Sequence, residues 1–114
     1  ADTRESTIAG YLDNWKRRIE AVGDEYFPEL GDHPDVTGSP TLEVSIEASG
    51  QLAEVVIRQS SGSTVLDKAA LDILRRASPF EPFPAEIRSD YDRLRFAYKW
   101  VFKEQPAATT ASAN

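Results

Sequence analysis

The sequence predicts an α+β domain in the order α-β-β-α-β, with two helices packed on a three-stranded antiparallel sheet. Three observations lead there. Apolar residues recur at helical spacing in two stretches, and three others carry the period-two alternation of strands, one of them with a single break of parity. Ser49-Gly50 then joins two of the alternating runs as a tight turn. A length of 114 residues fits one domain, and a core of that size folds without covalent staples.

The first helix rests on Ile8, Leu12, Trp15, Ile19 and Val22, whose 4-3-4-3 spacing forms one stripe, with Asp13, Asn14, Lys16, Arg17 and Glu20 opposite. Thr3, Ser6 or Thr7 can cap its start, and Gly23 stands where a left-handed C-cap would end it. Residues 1–10 are a lead-in and the opening of this helix. Residues 24–40, with five acids among three prolines and two glycines, read as a surface loop.

In the first strand Leu42, Val44, Ile46 and Ala48 alternate with Thr41, Glu43, Ser45 and Glu47, so one face is buried. The return strand, about 52–60, carries Leu52, Val55 and Ile57; the change of parity predicts a bulge near Ala53-Glu54. In the second helix Thr64 and Asp67 have capping-box spacing ahead of Leu66, Ala69, Ala70, Ile73, Leu74 and Ala77, and Pro79 stops it. Pro79-Phe80-Glu81-Pro82-Phe83-Pro84 reads as an extended crossover pinned by two phenylalanines. The last strand, near 94–103, places Leu94, Phe96, Tyr98, Trp100 and Phe102 on one face and Arg95, Ala97, Lys99, Val101 and Lys103 on the other. Because the hairpin strands pair with each other, this strand joins an outer side of the sheet and becomes an edge. Its cations suit an edge that resists self-pairing and favours an acidic incoming strand. The tail, 104–114, ends in low-complexity Pro106 to Asn114 and is expected to be disordered.

Composition narrows the function. No cysteine is present, which excludes disulfides, thiolate metal sites and cysteine nucleophiles. Methionine is absent even at position 1, which predicts a piece of a longer chain or a processed N-terminus. No apolar run approaches the roughly 18–20 residues of a membrane span. A net charge of −6 and pI ≈ 4.7 argue against a general nucleic-acid binder. Charge is nonetheless uneven: residues 1–57 hold 12 of the 19 acids and 4 of the 13 bases, whereas residues 58–103 hold 9 bases against 6 acids.

The chain offers little for catalytic or metal chemistry. His33 is the sole histidine, a loop residue beside Pro34. Ser60-Ser61-Gly62-Ser63 lacks a nucleophile elbow and reads as a turn plus helix cap. The acidic loop lacks the calcium-loop spacing. Pro79 and Pro82 match P-x-x-P, but their phenylalanine neighbours suit core pins better than an exposed ligand ridge. No enzyme, cofactor or metal site is expected.

Three stretches in order resemble the TonB family C-terminal domain. They are Tyr11-Leu12 and Trp15 through Arg17-Arg18-Ile19-Glu20 to Gly23 and Tyr26-Phe27-Pro28; the hairpin ending in Ser60-Ser61-Gly62, then Leu66-Asp67 and Ala69-Ala70-Leu71; and Phe80-Glu81-Pro82-Phe83-Pro84 with the strand closing on Trp100-Val101-Phe102. The resemblance covers residues 11–103 and implies two helices layered on a three-stranded antiparallel sheet. It further implies a periplasmic domain that grips the TonB box of outer-membrane receptors and drives import of iron chelates (siderophores), vitamin B12 or similar cargo. An N-terminal segment would anchor it in the inner membrane and couple it to a proton-driven motor complex. Carried onto this chain, the peptide-pairing edge falls on Arg93, Leu94, Arg95, Phe96, Ala97, Tyr98, Lys99, Trp100, Val101, Phe102 and Lys103, with Tyr26, Phe27 and Pro28 as the aromatic-proline element near the first helix. Phe27 is an insertion in the family's Tyr-Pro pattern. The alternatives are a TolA-like or other periplasmic scaffold, and a domain-swapped homodimer using the same edge.

Overall fold

The computed structural model describes residues 3–27 and 37–102. The elements run α1 (Thr3–Tyr26), β1 (Thr41–Glu47), β2 (Leu52–Gln59), α2 (Thr64–Ala77), α3 (Ala85–Arg88) and β3 (Arg93–Lys99). The predicted α+β order holds, with the short α3 as an addition. The sheet order is β2-β1-β3, antiparallel throughout.

Helix α1 buries Tyr11, Trp15, Ile19 and Tyr26, with Ile8, Leu12 and Val22 half-buried beside them. It does not stop at Gly23. A Cβ there would meet Ile73 Cδ1 at 3.6 Å and Trp100 Cζ2 at 3.7 Å, ordinary contact distances, so nothing forces the chain to reverse. The helix gains another turn because Tyr26 buries its ring and donates its hydroxyl hydrogen bond to Asp72 Oδ2 on α2 at 2.9 Å.

On the central strand Leu42, Val44 and Ile46 are fully buried, and Leu52, Val55 and Ile57 of β2 flank them. The expected bulge is present. Register passes from Ser45↔Glu54 to Ile46↔Leu52 and leaves Ala53 over. A second irregularity, between Thr41↔Gln59 and Leu42↔Ile57, leaves Arg58 over and had no sequence signal. At the hairpin Gly50 has φ +97, and an added Cβ would fall 2.1 Å from the Phe80 carbonyl oxygen. Phe80 N–H in turn donates to Gly50 O at 2.7 Å. Gly50→Ala therefore has both a left-handed backbone and a backbone collision to resolve, and is expected to lower the unfolding free energy by at least about 2 kcal/mol in a urea titration.

Helix α2 begins one residue earlier than its capping-box spacing implied. The cap is Ser63, whose Oγ accepts from Leu66 N–H at 3.2 Å. Asp67 reaches back instead to accept from Ser61 N–H at 2.9 Å and Ser61 Oγ at 2.7 Å. Burial alone would raise the Asp67 carboxyl, but hydrogen bonds from Ser60 and Ser61 outweigh it and hold it below 3.8. The crossover after α2 is pinned as expected, with Phe80 and Phe83 buried. Phe83 N–H donates to Ala48 O at 2.9 Å, which staples the segment to the end of β1. Past Pro84 one helical turn buries Ile87 completely.

Tyr11 ties α1 to the crossover. Its hydroxyl donates to the Glu81 carbonyl at 2.7 Å and its ring meets Phe83 edge-on at 5.2 Å. Burial, with the Glu81 carboxylate adding, pushes the phenol from 10.0 up to about 12. The folded state thus favours neutral Tyr11. Its contribution is complete below pH 10.0 and is lost as pH rises towards about 12. Tyr26 and Tyr98 are raised in the same direction. Urea midpoints across the alkaline range are expected to fall with pH in the wild type, and less steeply in Tyr11→Phe.

Candidate functional site at the sheet rim

Strand β3 pairs with β1 through seven residue pairs, from Thr41↔Lys99 to Glu47↔Arg93, with no shift of register. The bonds that flank the strand fix which way each residue faces. Trp100 N–H donates to Pro40 O at 3.0 Å, Ala48 N–H to Asp92 O at 2.9 Å, and Phe102 exchanges two bonds with Gly38 at 2.8 and 3.2 Å. Bonding alternates along an antiparallel strand, so Leu94, Phe96 and Tyr98 turn their N–H and C=O groups to β1. Arg93, Arg95, Ala97, Lys99 and Val101 therefore turn theirs outward. Among the described residues no chain segment pairs with that side. The other rim, on β2, is interrupted by the irregularities at Ala53 and Arg58.

The helix-facing side of β3 is aromatic and half-buried. Trp15 presents its ring perpendicular to Phe96 at 4.8 Å and to Tyr98 at 5.1 Å. Its indole N–H is buried without a conventional acceptor. Burial raises the Tyr98 phenol, and the Glu20 carboxylate adds to the shift. The ring series continues through Trp100 and Phe102, 4.4 Å apart, to Phe27 at 5.3 Å from Phe102.

The opposite side is charged and open. Arg93 bonds Glu47 at 3.1 Å, Arg95 approaches Glu43 at 3.8 Å, and Glu43 also receives Arg58 from β2. Ser45 lies among these long side chains and is 2% exposed. Val101 stands 55% exposed near the end of the rim.

The regular strand ends at Lys99 rather than Lys103, although the pairing of Trp100 with Pro40 and of Phe102 with Gly38 continues the ladder. Phe27 joins this end through Phe102, whereas Tyr26 turns to α2, under the Arg76 guanidinium 4.6 Å from its ring centre. Pro28 and Lys103, the loop residue His33 and the 104–114 tail lie outside the described residues. Sequence reasoning passed over Glu43, Glu47 and Arg58. The signal for the two glutamates was present in the polar parity of β1, but parity does not tell which cations, Arg58 of β2 among them, stand beside it.

A concavity between α1 and the crossover, lined by Tyr11, Trp15, Pro79, Phe80 and Pro82, lies elsewhere. Three of its polar side chains are engaged internally, Tyr11 with Glu81 O, Arg18 with Ala77 O and Arg17 with Asn14. Among the described residues no cluster of histidine and carboxylate ligands could hold a metal, and no helix is long and apolar enough to cross a membrane.

The family model described as Gram-negative bacterial TonB protein C-terminal matches residues 24–103. No protein of curated function matches the sequence. Among solved structures, the C-terminal domain of HasB is similar with TM-score 0.51 and 19% identity, over 81% of this chain and 71% of that one. The TonB C-terminal domain of Helicobacter pylori gives TM-score 0.50 and 18% identity, over 84% of each chain. TolAIII, solved with a peptide derived from the N-terminus of TolB, gives 0.50 and 17%, over 76% of this chain and 73% of that one. At such identities the likeness establishes a shared fold.

Proposed function

The chain belongs to the Gram-negative bacterial TonB protein C-terminal family, a periplasmic interaction domain, and from that premise we propose that it grips a TonB-box peptide of an outer-membrane receptor at the outer rim of β3. The receptor segment adds as a fourth strand, held by main-chain hydrogen bonds to Arg93, Arg95, Ala97, Lys99 and Val101. An inner-membrane anchor and a proton-driven motor would supply the pull, and a pull along the strand loads these bonds together. Cargo import, of siderophores or similar ligands, would follow from opening the receptor. The role is binding and force transfer, without catalysis.

The observation that carries this reading is the unshifted β3 register, which leaves a regular row of outward donors and acceptors. The test is an amide NMR titration with receptor peptides. The expected result is selective shifts at the odd-numbered amides of β3, with slowed hydrogen exchange there. Shifts confined to another surface would sink the proposal.

A second reading is a TolA-like scaffold, favoured by one observation, that the similar TolAIII structure holds a TolB-derived peptide. Peptides from receptors and from other periplasmic proteins, titrated side by side, separate the two. A domain-swapped homodimer would show instead as a mass that rises with concentration in sedimentation.

A further inference from the structure

The open face of the sheet carries two rows of charge that run across the strands. One row reads Arg58 on β2, Glu43 on β1 and Arg95 on β3. The other reads Glu47 on β1 and Arg93 on β3. Both alternate in sign, and both end at the free rim on an arginine. Arg93 and Arg95 keep 48% and 60% of their side chains exposed, so each retains donors for another carboxylate.

Resting on the rim reading above, we propose that the incoming strand is acidic on alternate residues, with two carboxylates at positions i and i+2 facing the open side and apolar residues between them facing α1. A strand added beside β3 places alternate side chains on opposite faces. Those on the open face come next to Arg93, Arg95, Ala97 and Lys99, where a carboxylate extends each charge row by one more alternation. Ala97 is small and lies between Arg95 and Lys99, each about 7 Å from it along the strand. A long acidic side chain opposite Ala97 thus reaches both cations. Side chains on the other face meet half-buried Leu94, Phe96 and Tyr98, where Glu20 disfavours a further negative charge. The main chain holds the partner and the two faces choose it.

The experiment compares three peptides of equal length on the folded domain: acidic-apolar alternating, the same composition with its acids in one block, and alternating with glutamine for each acid. Affinity is measured in low and high salt, with β3 amide shifts recorded in parallel. The expected result is about tenfold tighter binding of the alternating acidic peptide, a preference that salt weakens. It should disappear in an Arg93→Gln/Arg95→Gln double variant and shrink in Lys99→Gln, each checked for a native spectrum. Lys99→Gln serves as the independent arm, since no described carboxylate pairs with Lys99. Equal binding of all three peptides with β3 amides still shifting would overturn the acidic pattern and leave the rim reading standing. Absence of β3 shifts with any peptide would overturn both.

Discussion

Proline at Ala97 is expected to weaken peptide binding by at least about tenfold while the domain remains folded. Residue 97 sends its N–H outward, so the substitution deletes a donor that only a partner would use, and its ring fills the space a partner's backbone needs. Lys99→Pro should behave likewise, with Lys99→Ala as the control for lost charge. Phe96→Pro provides the contrast. By the same parity Phe96 N–H bonds β1, and its removal should destabilise the sheet itself. Binding that survives proline at both 97 and 99, with native spectra, would refute docking at this rim.

Trp15→Ala is expected to cost about 3–5 kcal/mol of stability, measured by denaturant unfolding. Trp15 is 3% exposed and touches Phe80, Phe96 and Tyr98, so one side chain joins helix, crossover and rim strand. Because its N–H has no conventional acceptor, Trp15→Phe sheds volume without orphaning a partner, and should cost clearly less. Loss of the indole should also loosen β3 from behind. Hydrogen exchange at Phe96 and Tyr98 is expected to quicken more than at the hairpin.

Much of this architecture was legible because the residues that build it are periodic. The stripe from Leu94 to Phe102 alternates cleanly, and a hairpin between the other two strands left it only an outer position. The parity slip at Leu52 and Val55 betrayed the bulge at Ala53, since two apolar residues three apart reach the same face of a strand only with one extra residue between them. Arg58 and Gln59 are both polar, so the second irregularity disturbed no pattern. Helix α3 is four residues long, too short for a period to show. Gly23 misled because a glycine signals a helix end only when nothing beyond it is buried, and Tyr26 is. The cap moved from Thr64 to Ser63 because either residue can serve, and the Asp67 hydrogen bonds to Ser61 settle the turn.

The candidate rim was legible as a strand, but its charge rows were not. Sequence parity assigns Glu43 and Glu47 to the wet face of β1 and Arg93 and Arg95 to that of β3. Only the register places Glu47 opposite Arg93 and sets Glu43 diagonal to Arg95. A slip by two residues would keep every face and rearrange every ion pair.

The contrast between the two rims has a consequence for assembly. A plate that accepts neighbours on both borders stacks head to tail into a filament of indefinite length, whereas one with a single serviceable border stops after its first acquisition. With kinks at Ala53 and Arg58 spoiling one border, growth ends at a lone guest or at a two-fold pair. At high local density the molecule is therefore expected to saturate instead of polymerising.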